Sequence, residues 1–224
     1  TGKPWEGFEI WRNHVKSFGL GTKFNTDLPM EYEGHLPTKA FYDKYYGENR
    51  WKSLTIISMA IGQGELGTTP LQLANMTAAL ANRGYYYPPH LVKAIDGVPI
   101  ESRFTQKHTT TIDRKYFDPV IDGMAMVFEQ GGTGYRSRHD SIVMCGKTGT
   151  AQNPHGEDHS IFICFAPKDN PKIALAVFVE NAGGGSKYGA PIASLLVEKY
   201  LLDSISRPHL EQPILDANLI DPKE

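Results

Sequence analysis

Cysteine is almost missing from this chain: Cys145 and Cys164 are the only two among 224 residues. Two cysteines make no disulfide framework. They fall on neighbouring strand-like runs, at roughly equal distance from a turn near Gly156. They could face each other and bond, or fill small buried sheet positions as thiols; the sequence leaves both open. Long apolar runs are missing too. Nothing approaches the ~18 residues a membrane-spanning helix needs, and the opening Thr1-Gly2-Lys3-Pro4 is not a signal peptide. Any targeting segment is therefore expected outside these residues. There is no excess of charge of one sign. Lys plus Arg number 23 against 25 Asp plus Glu, a net charge of -2, so no basic field argues for a nucleic-acid partner. Internal repeats and low-complexity blocks are also absent. What remains, 40% hydrophobic and 21% charged, is ordinary for a folded globular chain, long enough for one large domain or two small ones.

The apolar spacing places helices first. Phe8, Trp11, Val15 and Phe18 mark one helix face, with Gly19 as its stop. Gly21 to Pro29 reads as a loop or short strand, and Leu36-Pro37-Thr38 as a turn. Trp51 to Ala60 reads as an apolar helix entering Gly62-Gln63-Gly64. The clearest helix runs from Thr69 to Asn82. Thr69 and Gln72 have capping-box spacing, Pro70 suits the first helical position, and Gly84 closes the segment. Asn75 and Asn82 are expected on its surface. Asp96-Gly97, between Tyr86–Ile95 and Val98–Ile100, signals a hairpin. A further helix is expected from Asp118-Pro119 through Phe128. Three strand-like runs follow, Ser141–Gln152, Ser160–Ala166 and Ile173–Glu180, joined by short turns that make them antiparallel neighbours. Gly183-Gly184-Gly185 reads as a flexible connector into a last helix, about Ala190 to Leu202. Residues 204–224 read as a mobile C-terminal tail. This order is an α+β pattern, an antiparallel sheet with helices packed on it. Residues 1–140 form its mainly helical part, and residues 141–203 its sheet and terminal helix.

The chemistry concentrates in Cys145-Gly146-Lys147-Thr148-Gly149-Thr150-Ala151-Gln152. Gly-Lys-Thr also occurs in phosphate-binding loops. Those need a glycine five residues before Gly146, where Ser141 stands, and a helix after the threonine, where Gly149 to Pro154 is a poor start. On a strand, Thr148 and Thr150 point to one side and can hydrogen-bond a carboxylate. Gly149 lets a substrate backbone approach. Lys147 supplies positive charge, and backbone N–H groups on a rigid strand can hold a developing oxyanion. The plainer alternative is a solvated lysine among β-forming threonines. His155-x-x-x-His159 with Glu157 and Asp158 has the composition of a metal cluster. The pair flanks a turn rather than lying on a helix face, so a solvated loop is the expectation. The aromatic residues Trp5, Trp11, Trp51 and Tyr85 to Tyr87 are expected in packing rather than as a ligand platform.

Lys147-Thr148-Gly149 resembles the Lys-Thr-Gly element of penicillin-recognising serine acyl-transferases. The wider order extends the match: Ile61-Gly62-Gln63-Gly64, Thr68 to Ala74, Ala78 to Gly84, Gly123-Met124, Gly132-Thr133, Lys147 to Gln152, Phe165-Ala166-Pro167 and Gly183-Gly184. Together these resemble class B penicillin-binding proteins, in particular their cell-elongation D,D-transpeptidases. The resemblance implies cell-wall cross-linking, in which a serine takes the penultimate D-Ala carbonyl of a peptidoglycan stem peptide and a second amine resolves the acyl-enzyme. It implies acylation by β-lactams, a periplasmic location with an inner-membrane anchor outside these residues, and a membrane glycosyltransferase partner. No cofactor and no metal are expected. On that carry-over Lys147 neutralises and orients, and the Thr148 and Thr150 hydroxyls bind the terminal carboxylate. The Thr150 N–H is one of two oxyanion donors, and Gly149 and Gln152 contact substrate.

The family's Ser-x-x-Lys and Ser-x-Asn/Asp elements are missing: no serine or threonine here has lysine three residues on, and no serine has Asn or Asp two residues on. The expectation is the C-terminal part of a transpeptidase domain, inactive alone. A β-lactam sensor or a serine β-lactamase-related protein is the alternative.

Overall fold

The computed structural model describes residues 2–220. It divides into two compact units. The first holds residues up to 79 with 84–113; the second holds 80–83 and the chain from 114 on.

In the first unit, α1 spans Pro4–Ser17. It starts before the expected Phe8, because Pro4 is pre-set for the first turn and Glu6 accepts a hydrogen bond from the Lys3 N–H at 3.3 Å. It stops at Gly19, whose φ of +91° a side chain would resist. A Cβ there would also lie 2.6 Å from the Phe24 ring. A second helix, α2 (Lys39–Tyr46), was not legible in the sequence. Its sequence, Lys-Ala-Phe-Tyr-Asp-Lys-Tyr-Tyr, buries only Tyr42. What starts it is Thr38, whose hydroxyl accepts from the Phe41 N–H at 3.1 Å. The Ser53–Ile61 segment is helical as expected, but 3₁₀. Phe8, Tyr42, Trp51 and Met59 form the core here, with Trp5 and Trp11 against it. Asp43 ties it together by accepting from the Trp51 indole at 3.0 Å and pairing with Lys39 at 2.5 Å.

Helix α3 (Pro70–Ala81) carries the foreseen cap. The Thr69 N–H donates to Gln72 Oε1 at 3.1 Å, and the Gln72 N–H to Thr69 Oγ1 at 3.2 Å. Gln72 does more than cap: its amide also donates to the carbonyls of Thr22 and Glu33, at 2.9 and 2.8 Å. Thr69→Ala should lower stability by about 1 kcal/mol, read as a shift in urea midpoint at unchanged slope. Asn75 is not on the surface. It is 5% exposed, because its amide donates to the Phe18 carbonyl at the end of α1 at 3.0 Å.

Strand β1 (Tyr85–Tyr86) is followed by β2 (Ala94–Ile95), β3 (Val98–Pro99) and β4 (His108–Thr109). The Asp96-Gly97 hairpin forms between β2 and β3, both turn residues at positive φ, +50° and +81°. The expected arm from Tyr86 is not one strand. Pro88-Pro89 interrupts it, and β1 pairs instead with β4.

The second unit holds α4 (Phe117–Met126), β5 (Cys145–Ala151), β6 (His159–Ala166), β7 (Ile173–Val179), α5 (Gly189–Leu202) and α6 (Pro208–Leu215). The three strands form one antiparallel sheet in sequence order, β5-β6-β7. Its core joins Phe128 after α4 and Phe162, Cys164 and Val177 of the sheet to Ala190, Ala193 and Val197 of α5. The cysteines are free. The register pairs Cys145 with Phe165 and Gly146 with Cys164. That is one residue out of line, which sends the two thiols to opposite faces of the sheet.

The expected mobile tail is not uniformly loose. Polarity suggested it, but the buried charge of Glu198 holds its start. Glu198 is fully buried in α5. It accepts from the Ser206 N–H at 2.7 Å, the Ser206 hydroxyl at 2.6 Å and Arg207 Nε at 2.8 Å. Arg207 also donates to the carbonyls of Arg138 at 2.9 Å and Ser194 at 3.1 Å. Helix α6 follows directly.

Candidate active site

Residues paired across a ladder share a face. Thr148 pairs with Phe162 and Thr150 with Ser160, so both threonines lie on the face that carries the α5 core. Lys147, Gly149 and Ala151, paired with Ile163, Ile161 and His159, lie on the other. The sequence-derived candidates therefore divide between two faces of β5, and the strand edge is the line from which both can be reached. Among the described residues β5 has one strand neighbour, β6, so its other edge offers backbone groups to an extended ligand. Lys147 and Thr150 are exposed, Thr148 and Gly149 half-buried, and Gln152 exposed just past the strand. Lys147 Nζ donates to the Thr148 carbonyl at 2.6 Å, which lays its charge along the strand.

Three supports hold this strand. The first is Thr133, from the loop after α4, whose Oγ1 is 3.1 Å from Thr148 Oγ1. The second is the Gly183-Gly184-Gly185 segment, which is seated rather than a loose connector. The Gly185 N–H reaches Thr150 Oγ1 at 3.4 Å. A Cβ on Gly185 would lie 2.3 Å from the Ile161 carbonyl oxygen and 2.4 Å from that of Gly149. The backbone of this loop rests directly on the strand backbones, which only glycine permits. Ser160 fixes it from below. Its buried hydroxyl donates to the Gly184 carbonyl at 3.1 Å and accepts from the Gly189 N–H at 3.1 Å. Gly185→Ala forces backbone apart and should cost about 1–3 kcal/mol, measurable by denaturant titration, with loss of protection at the amides of Gly149 and Thr150 in hydrogen exchange.

The third support closes the far end. Asn153 donates through Nδ2 to Asn181 Oδ1 at 2.7 Å, and its N–H donates to Asp158 Oδ1 at 3.1 Å. The Gly183 N–H donates to the Asp158 carbonyl at 2.7 Å, and the Asn181 N–H to His159 Nδ1 at 3.1 Å. The β5–β6 turn and the segment after β7 are thus one hydrogen-bonded cluster. His159 and Asp158 are spent in it, and no metal-holding group of three or more His, Cys, Asp or Glu side chains exists among the described residues. The bracing by Ser160 and by the Asn153–Asn181 pair is not legible in the sequence, since nothing local marks a residue that braces a distant loop.

Both thiols are fully buried. Burial pushes Cys145 up to about 12 and raises Cys164 as well, so neither is a thiolate near neutral pH. The strand thus brings together a cation, two hydroxyls and an edge with no strand neighbour among the described residues, each held by the contacts above.

The chain belongs to the penicillin binding protein transpeptidase domain family, whose model matches residues 7–198. It is similar to the peptidoglycan D,D-transpeptidase MrdA of Haemophilus influenzae, 34% identical over 87% of this chain and 33% of that protein. The chain thus spans about a third of the length of that curated relative. Among solved structures it is similar to Pseudomonas aeruginosa PBP2 in complex with WCK 5153. The TM-score is 0.79 and the identity 35%, over 88% of this chain and 43% of that one. A second neighbour is a chain from a peptidoglycan synthase complex that coordinates polymerization and crosslinking, at TM-score 0.77 and 29% identity over 91% of this chain and 34% of that one. The α+β fold and the kinship read from Lys147 to Gln152 agree with these matches. No helix among the described residues is long and apolar enough to cross a membrane.

Proposed function

We propose that this chain supplies the substrate-recognition strand of a peptidoglycan D,D-transpeptidase, a serine acyl-transferase that cross-links stem peptides and is acylated by β-lactams. The observation that carries the reading is the unbroken Lys147 to Gln152 run on an edge strand, with Thr148 and Thr150 on one face and each braced from outside the strand. The acyl donor lies extended along β5 and extends the sheet. Its terminal carboxylate meets the Thr148 and Thr150 hydroxyls. The Thr150 N–H is one of the donors to the oxyanion of the tetrahedral intermediate, Lys147 holds the local potential positive, and Gln152 contacts the donor further along. The nucleophilic serine belongs to polypeptide outside these 224 residues, which contain no Ser-x-x-Lys. The enzyme works in the periplasm on an inner-membrane anchor, beside a membrane glycosyltransferase. The neighbour from a complex that coordinates polymerization and crosslinking supports that pairing.

Fluorescent-penicillin labelling tests this, run on the 224-residue chain and on the product of its complete gene. The expected result is a covalent band on the complete product and none on the chain alone. A complete product that folds and does not label would refute the assignment.

A further inference from the structure

The first unit contains a cavity of about 360 Å³ whose lining includes Lys23, Arg103 and His108 and no acidic side chain. That volume falls within the range of small-ligand pockets. Its wall is apolar and buried: Phe24 and Tyr86 are each 8% exposed, packed edge to face at 6.0 Å. His108 stacks on Tyr86 with ring centres 5.3 Å apart and planes 15° apart.

Three acidic groups of the surrounding loops, Glu31, Asp27 and Glu101, are already engaged. The Glu31 carboxylate takes the N–H groups of Phe24 and Thr26. The Asp27 carboxylate takes those of Leu91 and Val92. Glu101 pairs with Arg103 at 2.8 Å. Arg103 is locked further. Its guanidinium lies 3.9 Å from the centre of the Phe104 ring and donates to the Asn25 carbonyl. It is a fixed cation. Among the described residues Lys23 has no ion-pair partner, and the side chains of Asn25, Gln106 and His108 have no hydrogen-bond partner. One rim therefore gathers a lysine, two carboxamides and an imidazole with donor capacity left over, beside a fixed guanidinium and an aromatic wall.

We propose that this cavity is an oxyanion-binding subsite that takes the carboxylate or phosphate of a small polar ligand. Lys23 supplies the charge that no carboxylate offsets. Arg103, already paired with Glu101, adds a fixed guanidinium at the rim, and Asn25 and Gln106 donate to the anion. The Tyr86–His108 stack offers an apolar face to the rest of the ligand. Charged donors around a half-enclosed oxyanion are the strong kind of hydrogen bond. The proposal concerns residues of the first unit only and does not depend on the role of β5.

The test is titration of the ¹⁵N-labelled chain, followed by amide shifts, with glucuronate, with inorganic phosphate and with glucose as the neutral control. Saturable shifts confined to residues 22–25 and 103–108 are expected with at least one anion, with glucose binding about tenfold or more weaker. Shifts with glucuronate alone assign a carboxylate ligand; shifts with phosphate assign a phosphorylated one. Lys23→Met, at an exposed side chain with no internal partner, should weaken binding about tenfold and leave the rest of the spectrum unchanged. Gln106→Ala is the second variant. Absence of saturable shifts with either anion, equal binding of glucose, or full affinity in both variants would overturn the proposal.

Discussion

Lys147→Ala, made in the protein that carries the serine, is expected to slow acylation by fluorescent penicillin about 10²- to 10³-fold. A cation about 4 Å from a developing negative charge is worth about 4 kcal/mol at the effective dielectric of a partly buried site, an upper bound that solvent at the strand edge will reduce. Preorganised donors at such sites cost 10²–10³ in rate when removed one at a time. Lys147 is exposed and donates to the carbonyl of the next residue, so removing it should leave folding stability within about 0.5 kcal/mol. That separation is the diagnostic. A loss of labelling with an unchanged unfolding midpoint places the charge in the reaction, whereas unchanged labelling would reduce Lys147 to a solvated strand lysine. Lys147→Arg tests geometry: a planar fork in place of a compact ammonium should restore only part of the rate.

Much of this arrangement was legible because its signals are local. Thr69 and Gln72 are three residues apart, and the cap forms between them. Asp96-Gly97 determines its own turn. The three runs after Ser141 alternate with turns short enough to force antiparallel pairing, and the pairs form in that order. What was missed depends on partners far along the chain. Helix α2 has little apolar periodicity and is held by Asp43, Trp51 and the Thr38 cap. Asn75 is polar on a helix and was expected at the surface, yet it is buried because it satisfies the Phe18 carbonyl across 57 positions. The two cysteines were equidistant from the turn to within one residue, and one residue is the whole difference between facing and opposing in a sheet. Within the candidate site, Lys147, Thr148 and Thr150 were named by their motif. Their division between two faces and the bracing by Thr133, Ser160 and Gly185 were not, because a motif records residue types along one strand and says nothing of what packs on it.

Glu198→Ala is expected to cost about 3–5 kcal/mol of stability, the usual effect of removing one partner of a buried ion pair. The wild-type pair need not be strongly stabilising for this to hold. Burial alone would raise the Glu198 pKa, yet the Ser206 N–H and hydroxyl and the Arg207 guanidinium outweigh it and bring the carboxyl down to about 2, from an ordinary 4.5. Without that carboxylate, Arg207 keeps its charge beside the Arg138 and Ser194 carbonyls with nothing to neutralise it. The sign with pH follows. The folded pKa lies below the unfolded one, so this contribution is complete above about pH 4.5 and is lost as pH falls toward 2. Urea unfolding at pH 7 and pH 3 should show the wild type losing stability between the two and Glu198→Ala losing less. The double variant Glu198→Met with Arg207→Met decides the cause. Recovery of most of the loss would assign it to the stranded charge, since a buried pair can be exchanged for apolar side chains at little cost. No recovery would assign it to the hydrogen bonds that Arg207 and Ser206 make to the 137–138 and 194–198 backbone and side chains. Either way hydrogen-exchange protection at residues 137–139 should fall with the single variant, because Arg207 is what ties the loop leading into β5 to the end of the chain.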